Sequence, residues 1–106
     1  MRITNVTDDE IEFNDGEYYI TWSHDQDCCE RTYADFLQLD DLAIGYEFKG
    51  ELFFEKVFGG FRFGDSRFMF FVPCYSCQNG YYSSDVDIYF CNEHVLTTEA
   101  EMNYVD

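Results

Sequence analysis

Residues 24–30, HDQDCCE, place an imidazole, two thiols and three carboxylates in one short stretch. A nucleophilic pair would use His24 as the base for Cys28. Their separation of four suits one helical turn, but the stretch has strand composition, and in a strand the two side chains lie about 13 Å apart on one face. The acids at 25, 27 and 30 would also raise a thiol pKa, the wrong direction for a nucleophile. Asp25, Asp27 and Glu30 are oxygen ligands of the kind that hold calcium or magnesium, yet the glycine and terminal glutamate of a calcium loop are missing. A second constellation, Cys74-x-x-Cys77 and Cys91-x-x-His94 with thirteen residues between the pairs, has zinc-ligand spacing. If 67–74 and 85–91 pair as an antiparallel hairpin, the halves of that site sit roughly 20 Å apart. Zinc ligands must converge to about 2.0–2.3 Å from one ion. The expectation is therefore no metal, no cofactor and no catalytic residue, with His24, Gln26, Asp27, Cys28, Cys29 and Glu30 forming a structural bend. Phosphate-binding glycine loops, G-x-S-x-G and H-E-x-x-H are absent.

The elements that position these residues read mostly as strands. In EYYITWSH (17–24), Tyr18, Ile20 and Trp22 alternate with Tyr19, Thr21 and Ser23, the period of a half-buried strand. The preceding EIEFNDG carries the turn signal Asn14-Asp15-Gly16, so a hairpin over about 10–23 is expected. Further strands are expected at 27–36, 51–58, 67–74 and 85–91, with Cys28 and Cys29 on opposite faces of the first. GGFRFGDS (59–66) reads as a loop or hairpin turn. FLQLDDLAI (36–44) fits a short helix closed by Gly45, and TTEAEMNYVD (97–106) either starts a helix at a threonine cap or stays loose. The expected fold is a single α+β domain over 1–106, strand-dominated, with an antiparallel sheet of five to six strands and one or two short helices. Twelve Phe, nine Tyr and one Trp give it an aromatic core.

HDQDCCE (24–30), DDLAIG (40–45) and NGYYSSDVDIYF (79–90) resemble, in order, segments of a small uncharacterised family of phage and bacterial proteins. In that family a strand runs into H-x-Q-D-C-C-E and a later hairpin carries S-N-G-Y-Y-S. Gln78 stands here in place of the hairpin serine. The resemblance implies a phage-like or mobile-element origin and a β-rich fold; it carries no activity.

Charge is the strongest functional signal. Twenty-two acids against six bases give a net charge of −16, and self-repulsion on that scale opposes compactness. Residues 1–48 carry thirteen acids and two bases, residues 49–67 three acids and four bases, and residues 68–106 six acids and no base. Direct contact with nucleic acid or an anionic membrane is disfavoured, whereas a basic, nucleic-acid-binding protein surface would be attracted. No apolar run reaches the roughly 20 residues of a membrane span. The N-terminus MRITNVTDDE lacks the basic and apolar regions of a secretory signal, so a host bacterial cytoplasm is the expected location. Five cysteines in such a chain are expected to be reduced thiols that pack as small hydrophobes.

The leading expectation is thus an acidic, non-enzymatic inhibitor of a host protein such as a defence nuclease, anti-CRISPR-like, acting by DNA mimicry. Its partner-binding residues would be Asp8, Asp9, Glu10, Glu12, Asp15 and Glu17 on the N-terminal hairpin, Asp40 and Asp41, with Tyr81 and Tyr82 as anchors. Alternatives are an acidic homodimeric accessory protein that hides part of its aromatic surface, and a small enzyme or metalloprotein centred on HDQDCCE.

Overall fold

Asn14, Asp15 and Gly16 all take positive φ, a conformation open mainly to glycine, asparagine and aspartate. The chain reverses there, as the N-D-G signal predicts, and pairs Glu10–Phe13 with Tyr18–Ser23 in register Phe13 with Tyr18 and Glu10 with Thr21. This hairpin belongs to the first of two five-stranded sheets. The computed structural model describes residues 1–26, 30–39, 41–80 and 82–104. Its strands are β1 (Ile3–Val6), β2 (Glu10–Phe13), β3 (Tyr18–Ser23), β4 (Arg31–Ala34), β5 (Phe53–Val57), β6 (Gly60–Gly64), β7 (Met69–Gln78), β8 (Asp85–Phe90), β9 (Glu93–Glu99) and β10 (Glu101–Tyr104).

The first sheet has the order β1-β2-β3-β8-β9. The second has the order β10-β7-β6-β5, with β4 also paired to β7. Every pairing is antiparallel except β10 with β7. The inner faces meet in one core in which Ile3, Ile11, Phe13, Ile20, Phe61, Phe63, Val72, Val86 and Ile88 are fully buried. Phe13 stands edge-on to Phe63 at 6.2 Å, a favoured packing for aromatic pairs. The chain passes from one sheet to the other at Ala100, which bridges Gly59 between β9 and β10. Pro73 is accommodated within β7 although it lacks an N–H, because β4 has ended at Ala34 and takes only the Pro73 carbonyl, through Asp35 N–H at 2.8 Å.

The strand-dominated expectation holds; the single sheet of five to six strands is instead two five-stranded sheets, the expected helices are absent among the described residues, and the fold is mostly β. FLQLDDLAI forms a single 3-10 turn, Phe36–Gln38, followed by turns to Gly45. Phe36 and Ala43 are buried while Leu37 and Leu42 are exposed, so the apolar residues never form one stripe. Asp35 supplies no side-chain cap. Gly45 donates its N–H to Ile3 O, joining the segment to the edge of β1 instead of ending a helix.

The tail is neither helical nor loose up to Tyr104: the β-branched Thr97 and Thr98 extend β9, and β10 follows. GGFRFGDS is strand rather than turn over Gly60–Gly64, because Phe61 and Phe63 enter the core and the glycines let β7 approach closely. The hairpin expected between 67–74 and 85–91 does not form. β7 continues to Gln78 in the second sheet, whereas β8 pairs with β3 and β9 in the first. Of the strand expected at 27–36 only 31–34 is observed, and Cys28 and Cys29 lie outside the described residues.

Candidate interaction surface

In β2, Ile11 and Phe13 face the core, so Glu10 and Glu12 face out. In β8, Val86 and Ile88 face in, so Asp85 and Asp87 face out. Pairing carries these onto one surface, since Asp85 lies opposite Glu99 and Asp87 opposite Thr97 on β9, while on β3 Ser23 lies opposite Asp87 and Thr21 lies between Tyr89 of β8 and Glu10 of β2. Within β2 and within β8 the carboxylates repeat every second residue, about 7 Å, and the two strands are separated only by β3, about 10 Å apart. Tyr19 and Tyr89 stand among them. Over residues 3–23 and 85–99, which contain all five strands of this sheet, there are ten carboxylates and neither Lys nor Arg.

Some of these acids are held in place. Asn5 Nδ2 donates to Glu12 at 2.9 Å, and Asp87 accepts from Thr97 Oγ1 at 2.5 Å beside His94 at 3.3 Å. Thr7 Oγ1 accepts the N–H groups of Asp9 and Glu10 and so shapes the turn presenting Asp8 and Asp9. Asp15 and Glu17 are exposed at the far end of the hairpin, and Asp41 is exposed in the turns leading to Gly45. Asp40 and Tyr81 lie outside the described residues. Tyr82 is half-buried and donates its backbone N–H to Gln78 Oε1 at 2.7 Å.

HDQDCCE and QNGYYSSD, well separated in sequence, meet inside the protein. His24 continues the inward-facing series Tyr18, Ile20, Trp22 of β3. Its Nε2 lies 2.5 Å from Glu30 Oε1 and its Nδ1 lies 2.5 Å from the Asp85 carbonyl. The His24 and Glu30 side chains are only 5% and 0% exposed. Gln78 Nε2 reaches Ser76 Oγ at 2.7 Å and Glu30 Oε2 at 3.4 Å. Ser76 in turn meets Thr32 Oγ1 at 2.7 Å across the β4–β7 register. Gln26 pairs with β4: its Oε1 accepts Thr32 N–H at 3.0 Å and its Nε2 donates to Thr32 O. A side-chain amide here substitutes for a strand partner. With both ring nitrogens engaged by oxygens, His24 offers no free lone pair for general-base work, and the polar chain braces the ends of β3, β4, β7 and β8.

The other chemistries separate as well. Glu30 turns inward while Asp25 is exposed, and Asp27 lies outside the described residues. Cys74 and Cys77 project from opposite faces of β7, and Cys91 sits with Asn92 in the positive-φ turn joining β8 to β9. The zinc-like tetrad is therefore not assembled, though not for the hairpin geometry expected from sequence. No group of three or more His, Cys, Asp and Glu side chains poised for a metal occurs among the described residues. Cys74, Cys77 and Cys91 are free thiols. Burial pushes the Cys74 thiol up to about 12, so it packs as a small hydrophobe.

Desolvation lowers the His24 pKa, but the Asp85 carbonyl, the bond to Glu30 and the charges of Glu30 and Asp25 outweigh it and hold the value above 6.5. A group whose folded pKa exceeds its unfolded one gives stability that is complete below the unfolded value and is lost as pH rises through the folded one. The urea midpoint of the protein is therefore expected to fall as pH increases from 6.5 into the mildly alkaline range. His24→Gln, which cannot titrate, will remove that part of the slope; equal slopes in the two proteins would refute the assignment.

Asp85, Asp87 and Glu99 are not among the partner-binding residues expected from the sequence, although the alternation in DVDIYF already places Asp85 and Asp87 on one face. What the alternation lacks is the identity of the neighbouring strands. No helix among the described residues is long and apolar enough to cross a membrane. Comparison with protein-family models, with curated proteins and with solved structures finds no match for the chain.

Proposed function

We propose that the protein is a non-enzymatic binding protein, of phage or mobile-element type, whose first sheet occupies the nucleic-acid-binding surface of a basic host protein such as a defence nuclease. The observation that carries this reading is the segregation of charge. Residues 3–23 and 85–99 contain ten carboxylates and no Lys or Arg, with Arg2 beside Asp15 and Arg31 beside Asp8 and Asp9 only at the margins, while four of the six bases fall within 49–67, around β5 and β6. Such an arrangement sets up a one-signed field on one side of a small molecule, which orients and accelerates the approach of an oppositely charged partner. Carboxylates already fixed by Asn5, Thr97 and His94 lose little freedom on binding.

The test is capture of partners from nuclease-treated bacterial lysate, followed by displacement of labelled duplex DNA from each purified partner. Displacement should weaken steeply between about 50 and 200 mM salt. The combined variant Glu10→Gln, Asp85→Asn, Glu99→Gln should displace at least tenfold less well. Displacement insensitive to both changes would sink the proposal.

A second reading, the acidic homodimer, draws on a different surface. Phe53, Phe68 and Phe71 are each about half exposed (48–52%) on the second sheet and its β6–β7 turn. Phe53, Phe68, Arg62 and Arg67 line an open groove of about 630 Å³. Sedimentation equilibrium showing a dimer lost on Phe71→Ser would favour it.

A further inference from the structure

Between the β1–β2 turn and β4, at the open edge where the two sheets part, lies a cleft of about 280 Å³ lined by Asp8, Asp9, Trp22, Arg31, Tyr33 and Asp35. Its volume falls just below the range for small-molecule pockets, about 300–1,000 Å³. That suits a single side chain better than a nucleotide, and its charge disfavours a phosphate. The floor is built: Thr32 and Phe36 are fully buried and also line it. Trp22 is held as a wall by its indole N–H, which donates to the Asp8 carbonyl at 3.0 Å and ties the acidic turn to β3. Three carboxylates stand against one guanidinium, and that guanidinium is already committed, with Arg31 Cζ 4.6 Å above the Tyr33 ring. Aromatic walls bordered by carboxylates favour an organic cation, and Trp is the strongest aromatic partner for one.

We propose that this cleft receives an arginine side chain of the partner protein. The proposal rests on the reading of the first sheet as a surface for a basic partner and names the group that anchors it. Arginine fits better than lysine because its planar guanidinium stacks on an indole while its N–H fork engages carboxylates, whereas an ammonium is a strongly hydrated point charge. Asp8 and Asp9 belong to both surfaces, since the same turn borders the first sheet and the cleft. An arginine seated there would lie beside a partner resting on that sheet.

Trp22 is the single tryptophan, so its fluorescence and its one indole N–H resonance report on the cleft without ambiguity. The probe is the capped tripeptide Gly-Arg-Gly, with lysine and citrulline counterparts titrated at matched ionic strength. Arginine should give a saturable change, with lysine about fivefold weaker and citrulline silent. Asp9→Asn with Asp35→Asn should weaken binding at least fivefold, and Trp22→Phe, followed by the backbone amides of 31–35, should weaken it less. Equal responses to arginine and lysine, an unsaturable response, or full binding by Asp9→Asn/Asp35→Asn would overturn the proposal. Free arginine binding more tightly than the tripeptide would also overturn it, in favour of a small-molecule site. The Glu10→Gln, Asp85→Asn, Glu99→Gln variant should bind the tripeptide normally. Loss of DNA displacement without loss of tripeptide binding, or the reverse, therefore separates the two claims.

Discussion

Glu30→Ala is expected to destabilise the protein by about 3–5 kcal/mol, because it removes one partner of a buried charged pair and leaves His24 with the Asp85 carbonyl as its remaining hydrogen-bond partner. The His24 ring is 5% exposed, so water replaces the lost acceptor poorly, and Gln78 loses one of its three acceptors in the same step. Chemical denaturation monitored by Trp22 fluorescence measures the loss. The double replacement of His24 and Glu30 by Leu should recover part of it, since removing both partners avoids the stranded charge. A loss under about 1 kcal/mol for Glu30→Ala would place His24 and Glu30 in solvent contact and rule out the brace.

The second large effect is steric. A Cβ on Gly60 would lie 2.2 Å from Val72 O and 3.0 Å from Pro73 Cα, both backbone atoms of the adjacent strand. Neither can rotate away, so Gly60→Ala must push β6 from β7 and disturb Phe61, which is fully buried next to it. Overpacking alone costs about 1–3 kcal/mol where side chains can yield. With two backbone atoms of β7 in the way, a cost of about 3 kcal/mol or more is expected. Gly50→Ala, where an added Cβ meets nothing within 4 Å, should change the urea midpoint little and serves as the control. Equal midpoints for the two variants would mean that the sheet is looser than its register indicates.

What the sequence made legible was local. The N-D-G turn, the alternation in YYITWS and DVDIYF, and the division of charge along the chain are each decided within a few residues, and each has its structural counterpart. The misreadings share one cause: they depended on which strand lies beside which. GFRFG has the alternation of a strand, but its glycines resemble a turn until β7 is known to press against them. DVDIYF looked like a partner for FMFFVPC because the two are consecutive in sequence; instead β8 returns to β3 across the molecule, and the long β7 pairs elsewhere. FLQLDDLAI has enough apolar residues for a helix, but Leu42 faces solvent and Gly45 is needed by β1. In HDQDCCE, His24, Gln26 and Glu30 bond to other elements, while Asp27, Cys28 and Cys29 lie outside the described residues. No pattern in the segment itself could indicate that its partners are Asp85, Gln78 and Thr32.

The passage of the chain through Ala100 also bears on how the protein forms. Residues 93–104 complete the edge of the first sheet and then pair in parallel with β7 in the second. Three of the eight described strand pairings join strands remote in sequence, and without them neither sheet closes: β3 waits for β8, β4 for β7, and β7 for β10. Loop-closure entropy must be met before such contacts are rewarded, which places the chain among slow folders on the millisecond-to-second scale. Because one continuous run closes both sheets, neither is complete without the other, and the molecule should fold and unfold as one cooperative unit.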